Sequence, residues 1–187
     1  MSQTDVQTTT VLVEGESDRL AVEALAHRFG HDLTRQGITV VEMGGATNIG
    51  RFLARYGPHG AGHRVLGLCD AGEEAIFARA LDQAGLGTGP LPSRGFFVCH
   101  ADLEEELLQC LGIDGVLKVI EDQGELASFR LLQRQPALRE ESIVAQLRRF
   151  FGGRGGNKIR YAPLLVAALP AGHAPPPLAS LIAAFAP

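Results

Sequence analysis

Five acidic residues recur at places where a chain can do chemistry. Glu14 follows the apolar run Val11-Leu12-Val13, and Asp18 comes four residues later. Asp70 closes a second apolar run, Arg64 to Asp70, and Asp102 with Glu104 follows a third, Gly95 to His100. An acid directly after a buried strand sits at the carboxyl edge of a sheet, where open α/β folds place their sites. If the strands are parallel, the five carboxylates share one edge. Like charges held together repel and raise each other's pKa unless a cation neutralises them. Oxygen-only donors suit Mg²⁺ or Mn²⁺, and one or two such ions fit hydrolysis or transfer at a phosphodiester. Taken singly, each acid also reads as a helix cap or a solvated turn residue. Recurrence at three of four strand ends favours the joint reading. Glu105 and Glu106 read as a solvated helix face, and Glu42 is given no role.

The elements that must carry these acids follow from periodicity. Strands are expected over 9–14, 38–42, 64–70 and 95–100, alternating with helices over 16–30, from the turn at Gly44, Gly45 and Asn48 to about Tyr56, over 73–84, and from Leu103 to Leu111. Residues 85–93 hold three Gly and two Pro and read as a loop. After Gly112 the chain reads as helical: 114–123, about 126–133, 142–151, 157–169 and, beyond a Pro-rich turn, 178–185. The fold class is therefore α/β, a mainly parallel four-stranded sheet flanked by helices. The expected organisation is one domain over 1–187, with an α/β core at about 9–112 and a helical extension at about 113–187.

Composition narrows the function classes. The 187 residues are 45% hydrophobic and 20% charged, as in soluble globular chains. No apolar stretch approaches the roughly 20 residues that span a bilayer, and the polar N-terminus lacks a signal-peptide core, so no membrane association and a cytoplasmic location are expected. Cys69, Cys99 and Cys110 lack the spacing of a disulfide framework or zinc knuckle and read as buried small hydrophobes. Net charge is −4, but residues 142–187 contain no Asp or Glu and carry Arg148, Arg149, Arg154, Lys158 and Arg160, giving +5 there and −9 (−4 minus 5) over 1–141. An acidic body with a basic C-terminal face suits a metal-dependent enzyme acting on a polyanion; on charge alone, a basic solvated helix is the plainer account.

The segments VLVEGESD, LGLCDAGE and ADLEEEL together resemble a TOPRIM domain, closest to the TOPRIM nuclease module of the OLD (overcoming lysogenization defect) family of endonucleases, over residues 9 to about 170. The resemblance implies a TOPRIM-like, Rossmann-like fold and a nucleotidyl transferase/hydrolase, an endonuclease hydrolysing DNA. It implies Glu14 as metal ligand or general acid/base, and Asp18, Asp70, Asp102 and Glu104 as further ligands of Mg²⁺ (or Mn²⁺). Asp70 matches the first acid of an Asp-x-Asp motif whose second position here is Gly72, with Glu73 beside it. Gly44, Gly45 and Asn48 match a glycine-rich turn, and Lys158 matches a late lysine near the scissile phosphate. Arg148, Arg149, Arg154 and Arg160 would position the nucleic-acid backbone without reading sequence. Tyr161, beside Lys158, reads as a packed helix residue. OLD proteins carry an ABC-type ATPase ahead of this module. No Walker A motif is found here, so a stand-alone form with a separately encoded ATPase partner is expected. RNA as substrate and homo-oligomer formation stay open. Gly72 favours an alternative, a weakly catalytic or non-catalytic nucleic-acid-binding module acting with such a partner.

Overall fold

The computed structural model describes residues 8–153 and 156–186. Its sheet has the order β2-β1-β3-β4, with β1 at Thr9–Val13, β2 at Ile38–Glu42, β3 at Arg64–Asp70 and β4 at Phe96–Cys99. Every pairing is parallel, so all four carboxyl ends point the same way. Leu12 pairs with Gly67 and Asp70 with Cys99, a register that brings the residues after β1, β3 and β4 to one edge.

Alternation along β1 divides the apolar residues between two layers. Val11 and Val13 face a large core with α1 (Glu16–Arg28) and the helices that follow β4. Leu12 faces a smaller core with α2 (Ile49–Tyr56) and α3 (Glu74–Gln83). The helices after β4 are α4 (Leu103–Asp122), α5 (Leu126–Gln133), α6 (Ile143–Gly152), α7 (Asn157–Ala168) and α8 (Pro176–Ala183). Their apolar residues belong to the same core cluster as Val11 and Leu66, so the helical segment packs directly on the sheet layer. Arg28, at the end of α1, donates to the Ala167 carbonyl at 2.8 Å and to the Leu169 carbonyl. One cation thereby satisfies carbonyls at the end of α7, which have no partners within their own helix.

Three elements differ from expectation. The helices expected on either side of Gly112 run on as one element, kinked where Gly112 adopts φ of 70°. The expected loop at 85–93 ends in a short 3₁₀ turn, Leu91–Arg94, which buries Leu91. The last helix starts at Pro176, two residues before the expected Leu178, because proline is well suited to the first helical turn, where no N–H partner is needed. No helix among the described residues is long and apolar enough to cross a membrane.

Gly67 explains how tightly β3 sits between its neighbours. A Cβ there would lie 2.6 Å from the Leu12 carbonyl oxygen and 2.7 Å from the Phe96 ring. Gly67→Ala is expected to destabilise the fold by about 1–3 kcal/mol through overpacking. Urea unfolding checks this; an unchanged midpoint would show that the β1–β3–β4 contact has slack.

Candidate metal centre

A cavity of about 220 Å³ opens at the carboxyl edge of the sheet. Glu14, Asp18, Asp70, Asp102, Glu104 and Lys158 all line it. The structure thus brings together the five acids and the lysine singled out in the sequence.

Each is placed by local geometry. Glu14 follows the fully buried β1, and its carbonyl accepts from the N–H groups of Gly44 (2.9 Å) and Gly45 (3.2 Å). Those glycines adopt φ of 69° and 119°, which side-chain-bearing residues rarely tolerate. Asn48 closes the turn by donating to the carbonyls of Met43 (2.9 Å) and Gly44 (3.2 Å). The glycine turn therefore fixes the backbone of Glu14 rather than contributing side chains to the cavity. Asp18, one turn into α1, accepts from the Gly15 N–H at 2.9 Å. Asp102 caps α4 by accepting from the Glu105 N–H at 2.8 Å, and Glu104 is buried in the first turn.

Glu73 joins this group, although the sequence placed no role on it. Oxygen atoms of Glu14, Asp70 and Glu73 lie within 4.8 Å of one another. The reason is the 3₁₀ turn Ala71–Glu73 that follows β3. In a 3₁₀ turn residues three apart eclipse, so Asp70 and Glu73 stand side by side. At position 72 the space is open: a Cβ on Gly72 would meet nothing within 4 Å. The i,i+3 spacing of two acids across a strand-to-helix turn was the available signal. One Glu73 oxygen, Oε2, is buried without a hydrogen-bond partner. An orphaned buried carboxylate oxygen beside two other acids is what a cation site presents before a cation is considered.

Electrostatics agree. Burial, then the charges of Glu14, Glu73, Asp102 and Asp18, push the Asp70 carboxyl up to about 7. Burial foremost, with Glu104 and Glu14 adding to it against the Gly15 hydrogen bond and Lys158, raises Asp18 to about 6. Burial and Glu14 raise Glu73. Cys69 and Cys99 also line the cavity, but burial and nearby acids push the Cys69 thiol up to about 12 and raise Cys99 as well. They stay protonated, which leaves carboxylate oxygen as the donor and fits a hard cation such as Mg²⁺ or Mn²⁺.

The cations of the C-terminal helices sit differently from the expected open basic face. Lys158 Nζ lies 3.2 Å from Glu104. Burial pulls its pKa down, but Glu104, Asp102 and Asp18 together leave it raised, so it is charged. Arg148 donates to Asp102 at 2.5 Å and to Glu105 at 2.9 Å. Arg160 pairs with Glu125 at 2.6 Å and lies over the Tyr161 ring. Arg149 is exposed and forms no ion pair among the described residues, and Arg154 lies outside them. Glu105 and Glu106 are not a free solvated face: Glu105 holds Arg148, and Glu106 accepts from the His100 N–H at 2.7 Å, fastening the end of β4. Tyr161 is buried, with its hydroxyl donating to Glu125 at 2.9 Å.

A parallel sheet with acids gathered at its carboxyl edge is an arrangement suited to holding a divalent metal ion. Residues 8–71 match the family model described as overcoming lysogenization defect protein-like, TOPRIM domain. That match covers the first three strands and the helices between them, up to the residue after Asp70. The fold is that of the C-terminal region of the Burkholderia pseudomallei OLD protein, with 22% identity, a TM-score of 0.71 and 96% of both chains covered. It is likewise that of the C-terminal region of the Xanthomonas campestris pv. campestris OLD protein, with 24% identity, a TM-score of 0.74, and coverage of 96% of this chain and 92% of that one. Among curated proteins no sequence gives a significant match.

The raised acids give a signed prediction. Asp18 and Asp70 hold protons more tightly when folded than when unfolded, where their pKa is near 3.8. Through these groups the metal-free protein loses stability as pH rises from about 4 to about 7. Mn²⁺ binding removes that repulsion, so the rise in melting temperature on adding Mn²⁺ is expected to be larger at pH 8 than at pH 5, and smaller throughout in Glu73→Gln. A thermal shift independent of pH, or unaffected by Glu73→Gln, would sink this assignment.

Proposed function

We infer that this module is a Mg²⁺- or Mn²⁺-dependent phosphodiester hydrolase acting on DNA. The observation that supports this most is the convergence of five carboxylates and a charged lysine on one cavity at the carboxyl edge of the sheet. Glu14, Asp70 and Glu73 would hold a first ion. Asp18, Asp102 and Glu104 form the remaining acidic lining, available to a second. When bound, a hard divalent cation supplies Lewis-acid polarisation of the phosphate and offsets charge that builds during in-line displacement.

The chain's own residues supply position and charge. The glycine turn fixes Glu14 at the backbone, so its carboxylate needs little reorganisation. Lys158 is a preorganised positive charge at the cavity wall, suited to a phosphate whose negative charge grows in the transition state. Glu104 orients that lysine and Arg148 orients Asp102. Gly72 does not leave the β3 side with a single acid, because Glu73 occupies the adjacent place.

Supercoiled plasmid incubated with the protein and Mg²⁺ or Mn²⁺ tests the reading. The wild type is expected to nick or linearise it. Glu14→Gln should fall to background, and Lys158→Ala should lose roughly 10²-fold or more in rate. An intact plasmid at high protein with either metal would favour the binding-module alternative. Equal cutting by Glu14→Gln would show that the chemistry lies elsewhere.

A further inference from the structure

We propose that Arg51 and Arg55, on the outer face of α2, are the phosphate contacts that guide a DNA strand toward the cavity; this rests on reading that cavity as a DNA-cleaving site. Three of the C-terminal cations, Arg148, Lys158 and Arg160, are each committed to a carboxylate of this chain, which leaves Arg149 as a single exposed charge of α6 without an ion pair among the described residues. Residues 43–69 present the opposite case. They contain no Asp or Glu, yet carry Arg51, Arg55 and Arg64. Arg64 is used internally, donating to the Ala186 carbonyl at 3.1 Å. Arg51 and Arg55 are exposed and make no ion pair among the described residues.

Their geometry is that of a built surface. Four residues apart on a helix, they lie on one face and about 6 Å apart along its axis, comparable with the step between successive phosphates of one strand. Each guanidinium is supported by a ring: Arg51 lies 5.1 Å from the Phe52 centroid and Arg55 5.1 Å from that of Tyr56. The rings form a continuous stack, Phe52 to Tyr56 at 6.3 Å and Tyr56 to His63 at 5.7 Å. His63 is tied at 2.9 Å to the buried Thr10 of β1. The arginines are therefore partly ordered before any ligand arrives, with no acid competing for their donors. Ile49 and Leu53 anchor the other side of α2 in the smaller core.

No residue of α2 lines the cavity, but the helix begins at the same edge of the sheet. α2 follows the glycine turn whose N–H groups hold the Glu14 carbonyl. A strand lying along Arg51 and Arg55 is thus led to the end of the sheet where Glu14 stands. An acid-free, arginine-bearing face beside an acidic, cation-dependent cavity separates two tasks: backbone attraction on α2 and metal holding at the strand ends.

Fluorescence anisotropy of a labelled DNA duplex, titrated with the full chain in Ca²⁺ across a KCl series, tests the assignment. Arg51→Ala/Arg55→Ala is expected to weaken binding roughly 10-fold at low salt and to flatten the slope of log K against log[salt] by up to about 2. Arg51→Lys/Arg55→Lys keeps both charges and should keep most of the slope. Circular dichroism melting confirms that the variants fold. Wild-type affinity and slope in the double alanine variant, or no wild-type binding at all, would overturn the assignment. Plasmid cleavage by the wild type in Mn²⁺, run alongside, keeps the two readings apart. Cleavage with arginine-independent binding overturns the α2 track alone. Arginine-dependent binding without cleavage overturns the hydrolase reading alone.

Discussion

Glu14, Asp18, Asp70, Asp102 and Glu104 reach one cavity from β1, α1, β3 and the start of α4, and their mutual repulsion is the constraint to which the surrounding structure answers. Burial first, and the neighbouring carboxylates after it, raise the Asp18 and Asp70 carboxyls. The fold offsets part of the repulsion from within. Backbone N–H groups of Gly15 and Glu105 donate to Asp18 and Asp102, Lys158 faces Glu104, and Arg148 spans Asp102 and Glu105. Glu14, Asp70 and Glu73 form no ion pair with a cation among the described residues, and there a Glu73 oxygen is buried without a hydrogen-bond partner. Compensation is therefore uneven: cations and backbone N–H groups meet the carboxylates on the α4 side, whereas on the β3 side a backbone hydrogen bond from Asp70 to Glu73 works against burial and the charge of Glu14. A hard cation is best accommodated on the side the protein has not neutralised.

This unevenness gives the C-terminal helices a purpose beyond covering the sheet. α7 carries Lys158 and α6 carries Arg148, and both cations must arrive at the α4 carboxylates in a fixed place. Asn157 at the start of α7 donates to the Phe150 carbonyl of α6 at 3.2 Å, which joins the two helices. Phe150, Phe151 and Tyr161 pack edge-on or tilted beneath them. At the far end Arg28 of α1 holds the α7 carbonyls. Because α1 also carries Asp18, the helix that brings an acid to the cavity is tied to the helix that brings the balancing lysine. Packing in the larger core and charge balance at the cavity are one arrangement read at two levels.

Local order explains what the sequence discloses. The parallel sheet follows from buried apolar runs and intervening helical periodicity, and the acids at strand ends follow from the same runs, because both depend on neighbours in the chain. What depends on tertiary placement is less visible. Arg148 and Arg160 read as an open basic face because their carboxylate partners, Asp102, Glu105 and Glu125, lie 35 to 46 residues away on other helices or at their starts. Glu106 looks solvated for the same reason, since its partner is the backbone of His100 at a turn. Glu73 was hidden by a pattern: an Asp-x-Asp template directs attention to position 72, whereas the backbone leaves β3 in a 3₁₀ turn that aligns position 73. The Arg51 and Arg55 face escaped notice because the −9 charge over 1–141 averages an acid-free stretch with acidic surroundings.

Gly72 shows why geometry, not motif position, decides the acid count at the β3 edge. A Cβ at position 72 has no neighbour within 4 Å, so it would enter open space with nothing packed against it. Three residues after Asp70 the 3₁₀ repeat returns the side chain to the Asp70 side, and Glu73 adds one more methylene of reach than an aspartate. The exchange also leaves Glu74 free to begin α3 with an acid in its first turn, favourable to the helix dipole. One short turn leaves position 72 in open space and sets Glu73 near Asp70, so the two positions have to be judged together when asking whether this edge can hold a cation.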